Sequence, residues 1–145
     1  MKQKIYHGLV KVALSHSVEE VWPKDIEISN QVFLDTRAEN EYDVSKIEGA
    51  RFVGYKDFDL KSVADIDRNA EIIVYCSIGY RSEKIAEKLL SDGFTNVKNL
   101  YGGLTEWHNA GLPLVDSLNN ATNRVHGYDK IWGQWYKDAE VVYDK

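Results

Sequence analysis

Residues 71–90, EIIVYCSIGYRSEKIAEKLL, change periodicity without a linker. Ile72 to Cys76 is an unbroken run of β-branched and aromatic side chains, the pattern of a central strand covered on both faces. From Arg81 the apolar positions are Ile85, Ala86, Leu89 and Leu90, one face of a helix, and Gly93 is placed to end it. A doubly covered strand running into an amphipathic helix points to an α/β domain: a central, mostly parallel sheet flanked by helices on both faces.

The remaining segments follow the same alternation. QVFLD (31–35), ARFV (50–53) and NVKNL (96–100) read as strands. RAENEYDV (37–44) reads as a short helix closed by Gly49, and residues 58–64 as a helical turn or two. GGLTEWHNAGLPL gives a helix with Leu104 and Trp107 on one face, terminated by Gly111 and Pro113. Residues 5–14 read as a short strand. SVEEVW (17–22) reads as a short helix capped by Ser17, acidic in its first turn and stopped by Pro23. The chain divides into a domain over 1–115 and an extension over 116–145 that begins polar and turns aromatic, with Tyr128, Trp132, Trp135, Tyr136 and Tyr143. The extension is expected to pack back onto the domain. The alternative is an oligomer or partner surface, where aromatic residues are enriched.

The totals exclude several classes. With 145 residues, 43% hydrophobic and 28% charged, the chain can bury one core. A net charge of −5 argues against nucleic-acid binding, which needs surplus Lys and Arg. No apolar run approaches the roughly 20 residues of a membrane span. Lys11 breaks the apolar stretch near the N-terminus, so no signal peptide is expected and the chain reads as cytoplasmic; a chain with its leader removed would look the same. A single cysteine excludes an intramolecular disulfide and a multi-cysteine metal site. His7, His16, His108 and His126 contain no i, i+4 pair, so no metal is expected.

That cysteine, Cys76, lies where strand gives way to helix, at the end of a parallel sheet where ligands bind. Gly79 allows a tight turn whose N–H groups, just ahead of the helix, can converge on an anion. The same field favours a thiolate: a free cysteine titrates near 8.5, and sites of this kind bring it to roughly 3.5–7.5. The bland reading is an inert core thiol, since cysteine is among the most buried residue types. The position, the glycine and the helix favour a reactive one.

CSIGYRS resembles the active-site loop of single-domain rhodaneses, Cys-x-x-Gly-x-Arg-Ser. FLDTRAENEYDVSKIEGARFV is similar to that family's upstream signature, and NLYGGLTEWHNAGLPL to its closing one, Gly-Gly-x-x-x-Trp then Gly-x-Pro. The resemblance covers about residues 10–115. It implies a rhodanese-like sulfurtransferase in which Cys76 carries sulfur as a persulfide between a small-molecule donor such as thiosulfate and an acceptor, either cyanide or a thiol, including a protein thiol. No cofactor is implied. The amides of Ser77, Ile78, Gly79, Tyr80, Arg81 and Ser82 would face the anionic sulfur. Cysteine phosphatases also combine a cysteine, an amide loop and an arginine, but space Cys and Arg by five residues. Here four intervene, a ring suited to one sulfur. A non-catalytic rhodanese-like binding module is the remaining alternative.

Arg81 has two readings, donor binding at the mouth or an inward pairing with Asp35 or Glu41 that supports the loop; the pairing is preferred. Arg37 is the second candidate for donor binding. Ser82 caps the helix or donates to the persulfide, with capping the commoner use. Ile78 and Tyr80 line the mouth or shield the loop. Two departures stand out: Lys46 occupies a position where many relatives carry His, and the loop lacks the cluster of cations of some thiosulfate-selective members.

Overall fold

Ile72–Tyr75 (β4) is the middle strand of a five-stranded, all-parallel sheet in the computed structural model, which describes residues 2–144. The order is β1-β5-β4-β2-β3, with β1 at Glu19–Val21, β2 at Val32–Asp35, β3 at Arg51–Phe52 and β5 at Val97–Leu100. Strand β4 pairs Ile72 with both Val32 and Val97. Its side chains alternate between two cores, which is why the whole run is apolar. Ile72 and Val74 join Leu34, Val97 and the buried face of α3 (Tyr80–Ser91), made by Ile85, Ala86 and Leu89. Ile73 and Tyr75 join Phe33, Leu100 and the face of α4 (Gly103–Asn109) made by Leu104 and Trp107. The helix α2 (Glu39–Val44) follows β2, and a 3₁₀ turn spans Leu60–Val63.

Two N-terminal expectations are corrected. Residues 5–14 are not a strand: Lys2–Ala13 is a helix, α1. Tyr6, Val10 and Leu14 recur every fourth residue and bury together with Tyr101, a helical stripe. SVEEVW is not a helix: Glu19–Val21 is an edge strand paired with β5, Val21 opposite Leu100. Ser17 caps nothing there. The backbone N–H groups of Ser15 and His16 donate instead to the Glu83 carboxylate of α3, at 2.9 and 2.8 Å.

Beyond Gly111 the chain forms β6 (Leu114–Val115) and β7 (Ala121–Thr122), an antiparallel pair, then β8 (Arg124–His126), the short helix α5 (Lys130–Gly133) and β9 (Glu140–Val142). Strands β8 and β9 pair in parallel. Val125 and Tyr136 sit in the same core as Phe33, Tyr75 and Trp107. Trp132 and Trp135 pack against the α1 cluster. At Lys46, both backbone groups pair with Val115 at 2.9 Å, and Nζ reaches the Tyr42 hydroxyl at 3.0 Å. Among the described residues no helix is long and apolar enough to cross a membrane.

Candidate active site

The turn between β4 and α3 folds around the sulfur of Cys76. Gly79 adopts φ +116°, a region side chains avoid, and this turns its N–H inward to donate to Cys76 Sγ at 3.0 Å. The first intrahelical bond of α3 is made by Glu83 N–H to the Gly79 carbonyl. The N–H groups of Tyr80, Arg81 and Ser82 precede it and lack helical partners. A donor aimed at sulfur stabilises negative charge there.

Three other elements hold the loop. The first is α4: Leu104 N–H donates to the Cys76 carbonyl at 2.8 Å, and Thr105 gives both its N–H and its hydroxyl to the Ser77 carbonyl, at 3.2 and 3.0 Å. This approach requires glycine at 103, where a Cβ would lie 2.5 Å from the carbonyl oxygens of Cys76 and Ser77. The second is α2: Glu41 accepts from Arg81 through both oxygens, at 2.7 and 3.0 Å, and from Ser77 Oγ at 3.1 Å. Burial pushes the Glu41 carboxyl up, but the Arg81 fork, the Ala38 N–H and the Arg37 charge outweigh it and hold it below its ordinary value. For Arg81, burial acts against the charge, and the pairing with Glu41 more than restores it.

The third is β5, through Asn99. Its Nδ2 donates to the Gly79 carbonyl at 3.0 Å, and its Oδ1 lies 2.6 Å from Ser82 Oγ. Ser82 is therefore not the helix cap; Gly79 holds that position. Ser82 Oγ faces inward, 3.6 Å from Cys76 Sγ and 3.1 Å from the Gly79 carbonyl. One hydroxyl proton can serve only one of these, and Asn99 is nearest.

The structure corrects the reading of Arg37. It is wholly buried and forks onto Asp35, with Nε at 2.9 Å from Oδ1 and Nη2 at 2.6 Å from Oδ2, while Nη2 also reaches the Ser45 carbonyl. Its charge is neutralised inside the domain and is not free for a donor. Asp35 in turn supports Arg37 and does not touch the loop; loop support falls to Glu41. Ile78 packs inward on the α1 cluster, and Tyr80 is exposed. Sequence reasoning missed Asn99, Thr105 and two tyrosines of the extension. The Gly102–Gly103 pair was the available signal for Thr105, since consecutive left-handed residues (φ +74° and +60°) imply a close backbone approach.

Tyr128 lies over the outer face of Arg81, its ring centre 4.7 Å from the guanidinium carbon. Tyr136 is buried, and burial pushes its hydroxyl up to about 12; Arg37, Thr105, Glu41 and Cys76 are the groups that act on it.

A family model for the rhodanese-like domain matches residues 18–110. The chain therefore belongs to the rhodanese-like domain family. It is 32% identical over 97 residues to the thiosulfate sulfurtransferase GlpE of Actinobacillus succinogenes, covering 66% of this chain and 85% of that one. It is 36% identical over 107 residues to a tRNA uridine(34) hydroxylase of Nitrobacter hamburgensis, covering 67% of this chain but only 41% of that protein. The rhodanese-like domain of an Anabaena protein has the same fold, with a TM-score of 0.61 at 22% identity over 67% of this chain and 78% of that one.

Proposed function

We propose that the chain is a sulfurtransferase that moves a sulfane sulfur from a donor such as thiosulfate to a thiophilic acceptor through a Cys76 persulfide. The observation that carries this reading is the Gly79 N–H on Cys76 Sγ, inside a loop held by α2, α4 and β5. In the first half-reaction the thiolate attacks the outer sulfur of thiosulfate. The S–S bond breaks, its electron pair leaves with sulfite, and Cys76 keeps a terminal S⁻. In the second, cyanide attacks that sulfur, thiocyanate departs and the thiolate returns. The inward amide suits the anionic intermediate. Arg81, held by Glu41, shapes the loop rather than gripping the donor. In this reading the carrier works in the cytoplasm, where a lone thiol stays reduced.

The test is incubation with thiosulfate followed by intact mass. A gain of one sulfur, removed by cyanide and absent in Cys76→Ser, supports the reading. No adduct with thiosulfate, a persulfide or a thiosulfonate would overturn it. That result would favour a binding module, the second reading, for which the near-complete burial of Cys76 speaks.

A further inference from the structure

Cys76 is 1% exposed. The side chains packed over its loop come from α1 and from the C-terminal extension, both outside the 18–110 match. Ile78, Trp132 and Trp135 pack, partly buried, against one cluster made by Tyr6 and Val10 of α1, Leu14 just beyond it, and Tyr101. Leu14 reaches to 3.4 Å of where a Gly79 side chain would begin. From the other side Tyr128 covers Arg81, and Tyr136 descends into the core beside Tyr75, the neighbour of Cys76.

The fastenings of the extension are identifiable. Asp144 accepts from Asn40 Nδ2 of α2 at 2.6 Å and pairs with His126 Nε2 at 3.0 Å. The Tyr128 N–H donates to His126 Nδ1, which leaves the ring proton on Nε2, facing Asp144. Asn109 of α4 joins the Trp135 carbonyl and the Lys137 N–H, each at 2.8 Å. Between these points the fit is incomplete. A cleft of about 560 Å³ is lined by Glu41, Tyr80 and Arg81 from the domain and by His126, Tyr128 and Asp144 from the extension. The Tyr136 hydroxyl, Trp135 Nε1 and Arg37 Nη1 are all buried without a hydrogen-bond partner. These unpaired groups oppose closure from within, while Val125 and Tyr136 in the core and the rim contacts favour it.

We propose that residues 124–144 form a strap that closes over the Cys76 loop and must lift before a donor or acceptor reaches the sulfur. The proposal rests on the sulfur-carrier reading only for what passes the strap. In the closed state the sulfur is shielded from bulk thiols, and transfer is limited to encounters that coincide with opening.

The test is the rate at which iodoacetamide modifies Cys76 in the full chain, read by intact mass at several urea concentrations below the unfolding transition. Wild type is expected to react slowly, at a rate nearly independent of urea, because lifting a strap exposes far less surface than unfolding. Tyr128→Ala combined with Asp144→Ala, both at exposed side chains, is expected to react at least ten-fold faster with the urea midpoint little changed. Asn40→Ala, from the domain side of the same contact, is expected to accelerate it in the same direction. Labelling of wild type as fast as a small free thiol, or no acceleration in either variant, would overturn the strap. Because iodoacetamide needs no sulfur donor, failure here leaves the sulfur-carrier reading standing, and failure to load sulfur leaves the strap standing.

Discussion

Arg81 and Glu41 form a two-pronged ion pair, Nη1 to Oε2 at 2.7 Å and Nη2 to Oε1 at 3.0 Å, and Ser77 Oγ bonds to both residues. The pair ties the start of α3 to α2 across the sulfur. Glu41→Gln leaves the partly buried guanidinium without its counter-charge and should cost about 3 kcal/mol, the low end for breaking a buried pair. Arg81→Lys keeps the charge but loses the fork and should cost about 1–2 kcal/mol. Both should slow sulfur loading roughly ten-fold, because the amides around the sulfur lose their position. Urea midpoints and timed intact-mass measurements check each part.

The same pair predicts an acid dependence. Glu41 is held below its ordinary 4.5 in the folded protein, since Arg81 and the Ala38 N–H outweigh burial. Above that ordinary value the contribution is fully present. As pH falls, the unfolded chain takes up the proton first, so stability declines until the lowered folded value is passed. Wild type should therefore lose more stability between pH 5 and the acid limit than Glu41→Gln, which cannot titrate there. Asp65 and Asp144 are also lowered, by Arg51 and by His126 with Asn40, but are common to both proteins and cancel. Parallel urea titrations from pH 7 to pH 3, as approximate limits, should converge.

Two glycines with similar backbone angles should respond very differently. Gly103 has φ +60° and Gly111 has φ +83°. Nothing lies within 4 Å of a Cβ at 111, so Gly111→Ala should cost only the backbone strain, about 1 kcal/mol. At 103 the Cβ would meet the Cys76 and Ser77 carbonyls at 2.5 Å, both backbone atoms of the loop. Gly103→Ala must move the loop, so it should cost about 3 kcal/mol or more and abolish sulfur loading. Equal effects at the two positions would refute this account of the Gly-Gly pair.

Much of this was legible because β4 and α3 are local. The strand run, the helical face and the glycine between them position Cys76 by periodicity alone. The N-terminus was misread because its signals are weak beside its tertiary context. The Ser17 cap pattern lost to the edge of β5, which needed a partner strand, and Glu83 anchors the chain just ahead of it through the N–H groups of Ser15 and His16. The spacing of Tyr6, Val10 and Leu14 was a readable helical stripe; the flanking polar residues obscured it. Asn99 could not be found from sequence, because a polar residue inside a short strand has no meaning until α3 lies across it. The Arg37 error had the same origin: the sequence shows a charge after a strand but not the Asp35 fork that neutralises it.

Arg37 accordingly affects stability rather than donor affinity. Both its side chain and that of Asp35 are wholly buried, so Arg37→Met, which leaves the carboxylate alone, should cost about 3–5 kcal/mol. Arg37→Lys should cost less and provide folded protein for kinetics. Its KM for thiosulfate should match wild type, whereas a large rise in KM with stability unchanged would return Arg37 to the donor site.

Ser82 and Asn99 should separate loop rigidity from the use of one proton. Ser82 Oγ is 2.6 Å from Asn99 Oδ1 and 3.6 Å from Cys76 Sγ, so in this arrangement its proton goes to the amide oxygen. A persulfide anion competes for that proton. Asn99→Ala removes the competing acceptor and the bond to the Gly79 carbonyl, and should cost about 1–3 kcal/mol. It frees Ser82 to turn toward sulfur, so the persulfide should persist longer against cyanide than in wild type. Ser82→Ala should also destabilise the fold, because it leaves Asn99 Oδ1 buried without its donor, yet it should shorten persulfide lifetime. The two variants thus share the sign of their effect on stability and differ in the sign of their effect on the intermediate. Urea midpoints and the decay of the sulfur adduct under a fixed cyanide concentration measure both, and lifetimes moving in the same direction would show that the Ser82 hydroxyl does not contact the transferred sulfur.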